Sequence, residues 1–242
     1  MSTTTPDPVR YRVIHAIAQL RFGAGRYVVD TAVEQHRRAP GTVAVAVSED
    51  ADNGWASSTA LLEELAAHAV PVHRCGNFFT RRTAGLKASA RIFSQLGLAT
   101  SPGLVVHAHT AMAALVARWA GGRTVVASCH GWNPNRSAEF DLQDAIALSL
   151  CNRVTTPSEY WARVLREHTA VTNVHVLPYG FDFERLPALP RRDLAGRPTR
   201  VVSVGELTDR KGPDVLLQAM SNVWTRYPET ELHFIGDGDA GE

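Results

Sequence analysis

The sequence predicts an α/β protein: one complete Rossmann-like domain, then the first βαβ unit of a second. Three observations carry this. Short apolar runs such as VIHAIA (13–18), TVAVAV (42–47) and RTVVASCHG (123–131) alternate with stretches whose apolar residues recur at helical spacing, the pattern of a parallel sheet covered on both faces. Residues 184–199 hold three prolines and four arginines among few large apolar residues, the composition of a linker. Beyond them only one strand–helix–strand is legible, too little to bury its own apolar faces.

The elements follow in order. Residues 1–10, opening MSTTTPDP, are polar and form a loose tail without the apolar segment of a signal peptide. After the strand at 13–18 comes a loop, QLRFGAG (19–25), then a helix over 26–38 with Val28, Val29, Ala32 and Val33 inward. The strand 42–47 runs into Ser48, Glu49 and Asp50. Ser57 or Ser58 is placed to cap a helix reaching about residue 69. A short strand at 71–76 precedes a helix over 81–96, which Gly97 ends. GLVVHAHT (103–110) is a buried strand, followed by a helix over 111–120 that Gly121 and Gly122 stop. After the strand 123–131, Ser137 starts a helix to 151 with Ile146, Leu148 and Leu150 apolar. A strand at 153–156 enters a helix capped near Thr156 or Ser158, and a last strand at 173–177 ends in PYGFD (178–182). The first domain is thus expected over 11–183, the linker over 184–199 and the start of a second domain over 200–242. That second domain is expected to be incomplete.

Composition narrows the function. A net charge of +1 supplies no field to draw nucleic acid. Cys75, Cys129 and Cys151 are odd in number and widely spaced, which argues against a disulfide framework or a cysteine metal cage and for a reducing cytoplasm. No run approaches the ~18 apolar residues of a membrane span. Catalytic patterns of the Ser-His-Asp, HExxH and Walker A kinds are missing from the chain.

The strongest chemical signal is residues 199–220, TRVVSVGELTDRKGPDVLLQAM. Val201, Val202 and Val204 read as a buried strand that Gly205 ends. Pro213 and Asp214 suit a first helical turn, and Val215, Leu216, Ala219 and Val223 share a face. Arg210 and Lys211 lie beside the free N–H groups of that helix start, an arrangement suited to a diphosphate. At Gly23 and Gly25 a dinucleotide fingerprint is disfavoured, because Val28 replaces the third glycine and the turn is too far from its strand. A glycine loop approaching a ligand phosphate is the other reading. His109 and His130 end their strands on the side where open parallel sheets bind ligands. Gly131, Trp132 and Asn133 follow as a loop suited to sugar contact, while His107 is expected on the other sheet face or in the core. Gly236-Asp237-Gly238 is read as a tight turn rather than a metal site. Arg191, Arg192, Arg197 and Arg200 are expected to be solvated.

Five of these segments together resemble retaining glycosyltransferases of family 4, which have the two-Rossmann GT-B fold. They are FGAGRYVVDTAVEQHRR, VVASCHG, TTPSEYWARVLREH with VHVLPYGFDFERL, SVGELTDRKGPDVLLQAM, and LHFIGDGD. The resemblance implies a nucleoside-diphosphate sugar held by the C-terminal domain and a small-molecule or lipid-linked acceptor on the N-terminal one. It further implies retention of configuration, no metal cofactor and room for peripheral membrane contact. By the same resemblance Lys211 contacts the donor diphosphate, with Arg210 beside it, and His130 lies near the reacting sugar. Gly23 and Gly25 approach the phosphates, Gly205 opens the donor loop, and Gly236 and Gly238 lie near the base. His109, Trp132 and Asn133 fall to the acceptor. Glu206 departs from the family, which usually has arginine there, and a carboxylate beside a diphosphate repels it. The family's downstream acidic motif lies beyond Glu242. Two other readings stay open: a sugar-nucleotide epimerase of the same fold, and a non-catalytic remnant that binds acceptor or partner. The alanine- and arginine-rich composition points to a high-GC bacterium.

Overall fold

A computed structural model describes residues 11–49, 57–132, 136–181, 183 and 198–238. The chain forms two compact units, residues 1–181 and 182–242.

In the first unit the chain runs β1 (Val13–Ile17), α1 (Phe22–Arg38), β2 (Val43–Val47), α2 (Thr59–Ala67), β3 (Val72–Arg74), α3 (Thr83–Ser94), β4 (Val105–Ala108), α4 (Ala111–Trp119), β5 (Thr124–Ser128), α5 (Ala138–Ser149), β6 (Arg153–Thr156), α6 (Glu159–His168) and β7 (Val174–Val176). The strands make one sheet in the order β3-β2-β1-β4-β5-β6-β7, and every pair is parallel. The chain winds outward from β1 to β3, returns to β4 on the other side of β1, and winds outward again. The reversal between β1 and β4 is where an open sheet leaves a crevice.

The period-two alternation of the strands divides the core. In β2 the alanines Ala44 and Ala46 join the layer containing Phe78, Phe93 and Met112, while Val43, Val45 and Val47 join the layer containing Val28, Val29 and Leu65. A strand apolar on both faces is thereby buried throughout. Thr110, Ser137 and Ser158 cap α4, α5 and α6 by accepting hydrogen bonds from Ala113, Phe140 and Trp161 N–H. Ser58 precedes α2 without a side-chain cap bond. Ser57 Oγ instead accepts from Leu20 N–H at 3.0 Å, tying the end of the β1 loop to the start of α2. In α5, Ile146 and Leu150 are exposed while Ala147, Leu148 and Asp144 face inward, so its buried stripe is turned from the expected one.

The helix expected from residue 26 begins at Phe22, so Gly23 and Gly25 lie in its first turns rather than in a loop. The two glycines differ. A Cβ on Gly25 would come within 2.7 Å of the Leu20 carbonyl carbon, whereas one on Gly23 meets nothing within 4 Å. We expect Gly25→Ala to destabilise by about 1–2 kcal/mol, overpacking outweighing the better helix former. Gly23→Ala should be neutral or stabilising by up to about 1 kcal/mol. Urea midpoints measure both, and equal effects would contradict the close packing at Gly25.

The second unit contains β8 (Arg200–Val204), a 3-10 turn at Asp209–Lys211, α7 (Pro213–Trp224) and β9 (Glu231–Ile235), with β8 and β9 parallel. β8 is not the buried strand expected: Val202 is 48% and Val204 75% exposed. Two strands and one helix cover a single face, so among the described residues the other face has no layer on it. The face of α7 shifts likewise. Met220 is buried and Leu216 and Val223 half-buried, while Val215 and Ala219 are exposed. No helix among the described residues is long and apolar enough to cross a membrane.

Candidate functional site

Beside the middle of β1 and toward the carboxyl ends of β4 and β5 four histidines come together. The parallel register sets His15 directly beside His107, and His109 follows two residues later on the same side. Of the two placements expected for His107, the opposite sheet face is excluded, because residues two apart share a face of the pleat; its ring packs inward among the other histidines. Its ring centroid lies 4.3 Å from that of His109 and 5.2 Å from that of His15.

These rings form a hydrogen-bonded chain. Gln35 Oε1 on α1 lies 2.8 Å from His15 Nε2, His15 Nδ1 lies 3.1 Å from His109 Nε2, and His109 Nδ1 lies 3.2 Å from His130 Nε2. His130 Nδ1 then meets the Tyr179 hydroxyl at 2.6 Å. Tyr27 lies edge-on to His109 and His130 and tilted against Tyr179, at 4.8 Å. To the side, His107 Nε2 bonds Ser128 Oγ, which bonds Thr155 Oγ1, both at 2.8 Å.

Burial penalises the imidazolium form of every member. It pushes His15 and His130 down to about 4 and His107 to about 3, and holds His109 well below the ordinary histidine range. Burial and the neighbouring Tyr27 push Tyr179 up to about 12. At neutral pH the chain is uncharged throughout and its phenol keeps its proton.

His15, His107 and His109 also bring one ring nitrogen each within 4.8 Å of one another, a candidate set of metal ligands. Two of those rings already share a hydrogen, and Gln35, Ser128 and His130 engage the outer nitrogens.

Beside His109 and His130 opens a pocket of about 270 Å³, lined also by Phe79, Arg81, Cys129 and Arg136. Asp144, buried in its wall, bridges Arg81 Nη1 at 2.8 Å and Arg136 Nη1 at 2.5 Å. Trp132 does not stand at the surface as a sugar platform. It is 4% exposed, with the Arg136 guanidinium 3.9 Å from its ring centroid, because its indole completes the core next to α6. Asn133, like Asp50 and Asp239, lies outside the described residues.

The remaining candidates sit as follows. Gly23 is exposed in the first turn of α1, which has no side-chain cap; Gly25 is a packing residue. In the second unit Arg210 Nη2 lies 3.5 Å from Glu206 Oε2, so the carboxylate that departs from the family faces a partner four residues on. Lys211 is exposed at the end of the 3-10 turn, immediately before the left-handed Gly212 (φ 63°) that leads into α7. Gly236 and Gly238 lie against backbone: a Cβ on them would meet the carbonyl oxygens of Gly205 and Leu207. Leu207 N–H reaches Asp237 O at 2.9 Å, so these glycines let the two strand-end turns run side by side. The sequence reading missed His15, Gln35, Tyr27 and Tyr179. Its one available signal was a histidine inside an otherwise apolar first strand.

A parallel sheet wound outward from a central reversal, with polar groups gathered near the strand ends there and a βαβ unit following in a second compact unit, has the architecture of the GT-B glycosyltransferases; the linker expected at 184–199 lies almost wholly outside the described residues. Two solved structures bear this out as a fold. One is the apo lipopolysaccharide outer core galactosyltransferase WaaB: TM-score 0.61, 16% identity, covering 94% of this chain and 61% of that one. The other is a glycosyltransferase from Rickettsia africae: TM-score 0.63, 14% identity, covering 93% and 68%. The model of Glycosyltransferase Family 4 matches residues 23–185, and the chain belongs to that family. It is 32% identical over 142 residues to the GDP-mannose-dependent α-(1-6)-phosphatidylinositol monomannoside mannosyltransferase of Mycolicibacterium smegmatis. That match takes in 51% of this chain and 35% of the relative's length.

Proposed function

We propose that the protein transfers a hexosyl unit from a nucleoside-diphosphate sugar to a small-molecule or lipid-linked acceptor, with retention of configuration and without a metal. The observation that carries this reading is the hydrogen-bonded meeting of His109, His130 and Tyr179 in a family 4 domain, with His109 and His130 lining a pocket at the carboxyl ends of β4 and β5. In this reading the first unit takes the acceptor and His130 lies near the transferring sugar. Lys211, with Arg210 and the N–H groups of α7, holds the departing diphosphate, whose charge grows as the glycosidic bond breaks. The Arg210–Glu206 pair leaves Lys211 as the main counter-charge. The name of the mycobacterial relative, pairing GDP-mannose with a phosphatidylinositol glycoside, supports a nucleotide-hexose donor and a lipid-linked acceptor.

The test is calorimetry of the full chain with GDP- and UDP-hexoses, followed by product analysis with and without added glycolipid. Donor binding and a glycosylated product of the donor's anomeric configuration are expected. An epimerised sugar nucleotide formed without acceptor would replace this reading with an epimerase. The lack of any donor binding would replace it with a binding module.

A further inference from the structure

Five groups from separate parts of the first unit form one unbranched chain: Gln35 in α1, His15 in β1, His109 after β4, His130 after β5 and Tyr179 after β7. A neutral imidazole has one N–H and one bare nitrogen. Since each ring uses both nitrogens within the chain, only two proton arrangements satisfy all four bonds, and they are opposite in direction. Either every ring carries hydrogen on Nε2 and the tyrosine O–H donates inward, or every ring carries it on Nδ1 and the tyrosine oxygen accepts. A single reversed ring would set two hydrogens or two lone pairs against each other in a buried site, which is costly. The inner end sets the direction: the Gln35 amide is placed with its oxygen toward His15 Nε2, which then carries hydrogen, whereas an amide turned over would donate there and reverse the whole chain.

We infer that Gln35, acting through His15 and His109, fixes His130 in its Nε2–H form, so that Tyr179 donates inward to His130 and presents its oxygen outward to accept from a hydroxyl of the bound sugar or acceptor. This rests on the proposed glycosyltransferase reading for the identity of that hydroxyl, but not for the order of the chain. Tyr179 is 45% exposed and is the open end. Gln35 closes the other end, and an amide neither gains nor loses a proton, so the chain orders hydrogens rather than conducting them. Gln35, His15 and His109 are positioning residues, and Tyr179 selects for a hydrogen-bond donor. His107 lies beside the chain, with its Nε2 taken by Ser128.

Long-range ¹⁵N–¹H NMR of histidine-labelled full chain tests this directly at neutral pH, without donor or acceptor. His15, His109 and His130 are each expected as a single Nε2–H tautomer. Gln35→Glu, which keeps an acceptor in place, should preserve all three. Gln35→Leu should convert His130 to a tautomer mixture although the two residues do not touch, and exposed His175 serves as an unaffected reference. Nδ1–H rings in the parent protein, or a His130 tautomer unchanged in Gln35→Leu, would overturn the inference. If Gln35→Leu fails to fold, the parent and Gln35→Glu spectra still decide the direction of the chain. Absence of glycosyl transfer would defeat the functional reading alone and leave these spectra as they are.

Discussion

Replacing Lys211 by alanine is expected to lower kcat/KM for glycosyl transfer by about 10²- to 10³-fold, the loss typical of removing one group aimed at charge that develops in the transition state. Most of it should appear in kcat. The ammonium would oppose the extra negative charge on the departing diphosphate, which is larger in the transition state than in the bound donor. The local structure supports this. Lys211 ends a 3-10 turn, the left-handed Gly212 redirects the chain, and Pro213 opens α7, so the lysine is held beside the N–H groups of a helix start. Arg210→Ala should cost less, because its guanidinium already faces Glu206. Glu206→Gln would release that guanidinium and should tighten donor binding. Steady-state kinetics with a hexose donor measure all three variants, and an unchanged kcat/KM in Lys211→Ala would remove the lysine from the mechanism.

Acidification is expected to destabilise the first unit well before its carboxylates titrate. His15 has a folded-state pKa of about 4 against the ordinary 6.5. Between these values the unfolded chain binds a proton that the folded chain refuses, so stability rises with pH through that window. The contribution is fully present above pH 6.5, is lost as the pH falls toward 4, and levels off below. A displacement of ~2.5 units at ~1.4 kcal/mol each is on the order of 3 kcal/mol, and His130, lowered by burial to about 4, acts in the same direction. Urea midpoints at pH 7.5, 6 and 5 should fall progressively. In His15→Gln the fall to pH 5 should be shallower by about 2 kcal/mol, the part of the displacement that lies above that pH; the same slope in parent and variant would show that His15 is not held neutral.

Several decisive features were legible in the residues. The alternation of apolar runs with helical stretches placed every strand of the seven-stranded sheet, since burial on both faces leaves strands such as Val43–Val47 no polar positions. Ser137 and Ser158 announced helix starts because a cap is a local interaction. His109 and His130 could be assigned to the crevice from topology alone, as residues that end parallel strands. The basic turn at Arg210 and Lys211 stood out because Gly205, Pro213 and Asp214 bracket it.

Other features were not legible, for identifiable reasons. Trp132 looked like a surface aromatic because it follows a histidine and a glycine, yet its indole completes the core under Arg136. The burial of β8 was overestimated because an apolar sequence cannot say whether a second layer lies over it. Gly23 and Gly25 looked equivalent, and only the packing of Leu20 against Gly25 separates them.

By itself, then, the sequence determined the family resemblance, the order and type of the elements and the placing of His109 and His130 just past strand ends, because element type and caps rest on contacts between near neighbours. The histidine chain was decided by the tertiary structure alone. His15 and His109 are 94 positions apart and Tyr179 lies 49 beyond His130. They meet because β1, β4 and β5 lie side by side in parallel register, with β7 nearby at the sheet's far edge. That register, set by hydrogen bonding between strands distant in sequence, turns scattered neutral rings into one ordered path from Gln35 to Tyr179.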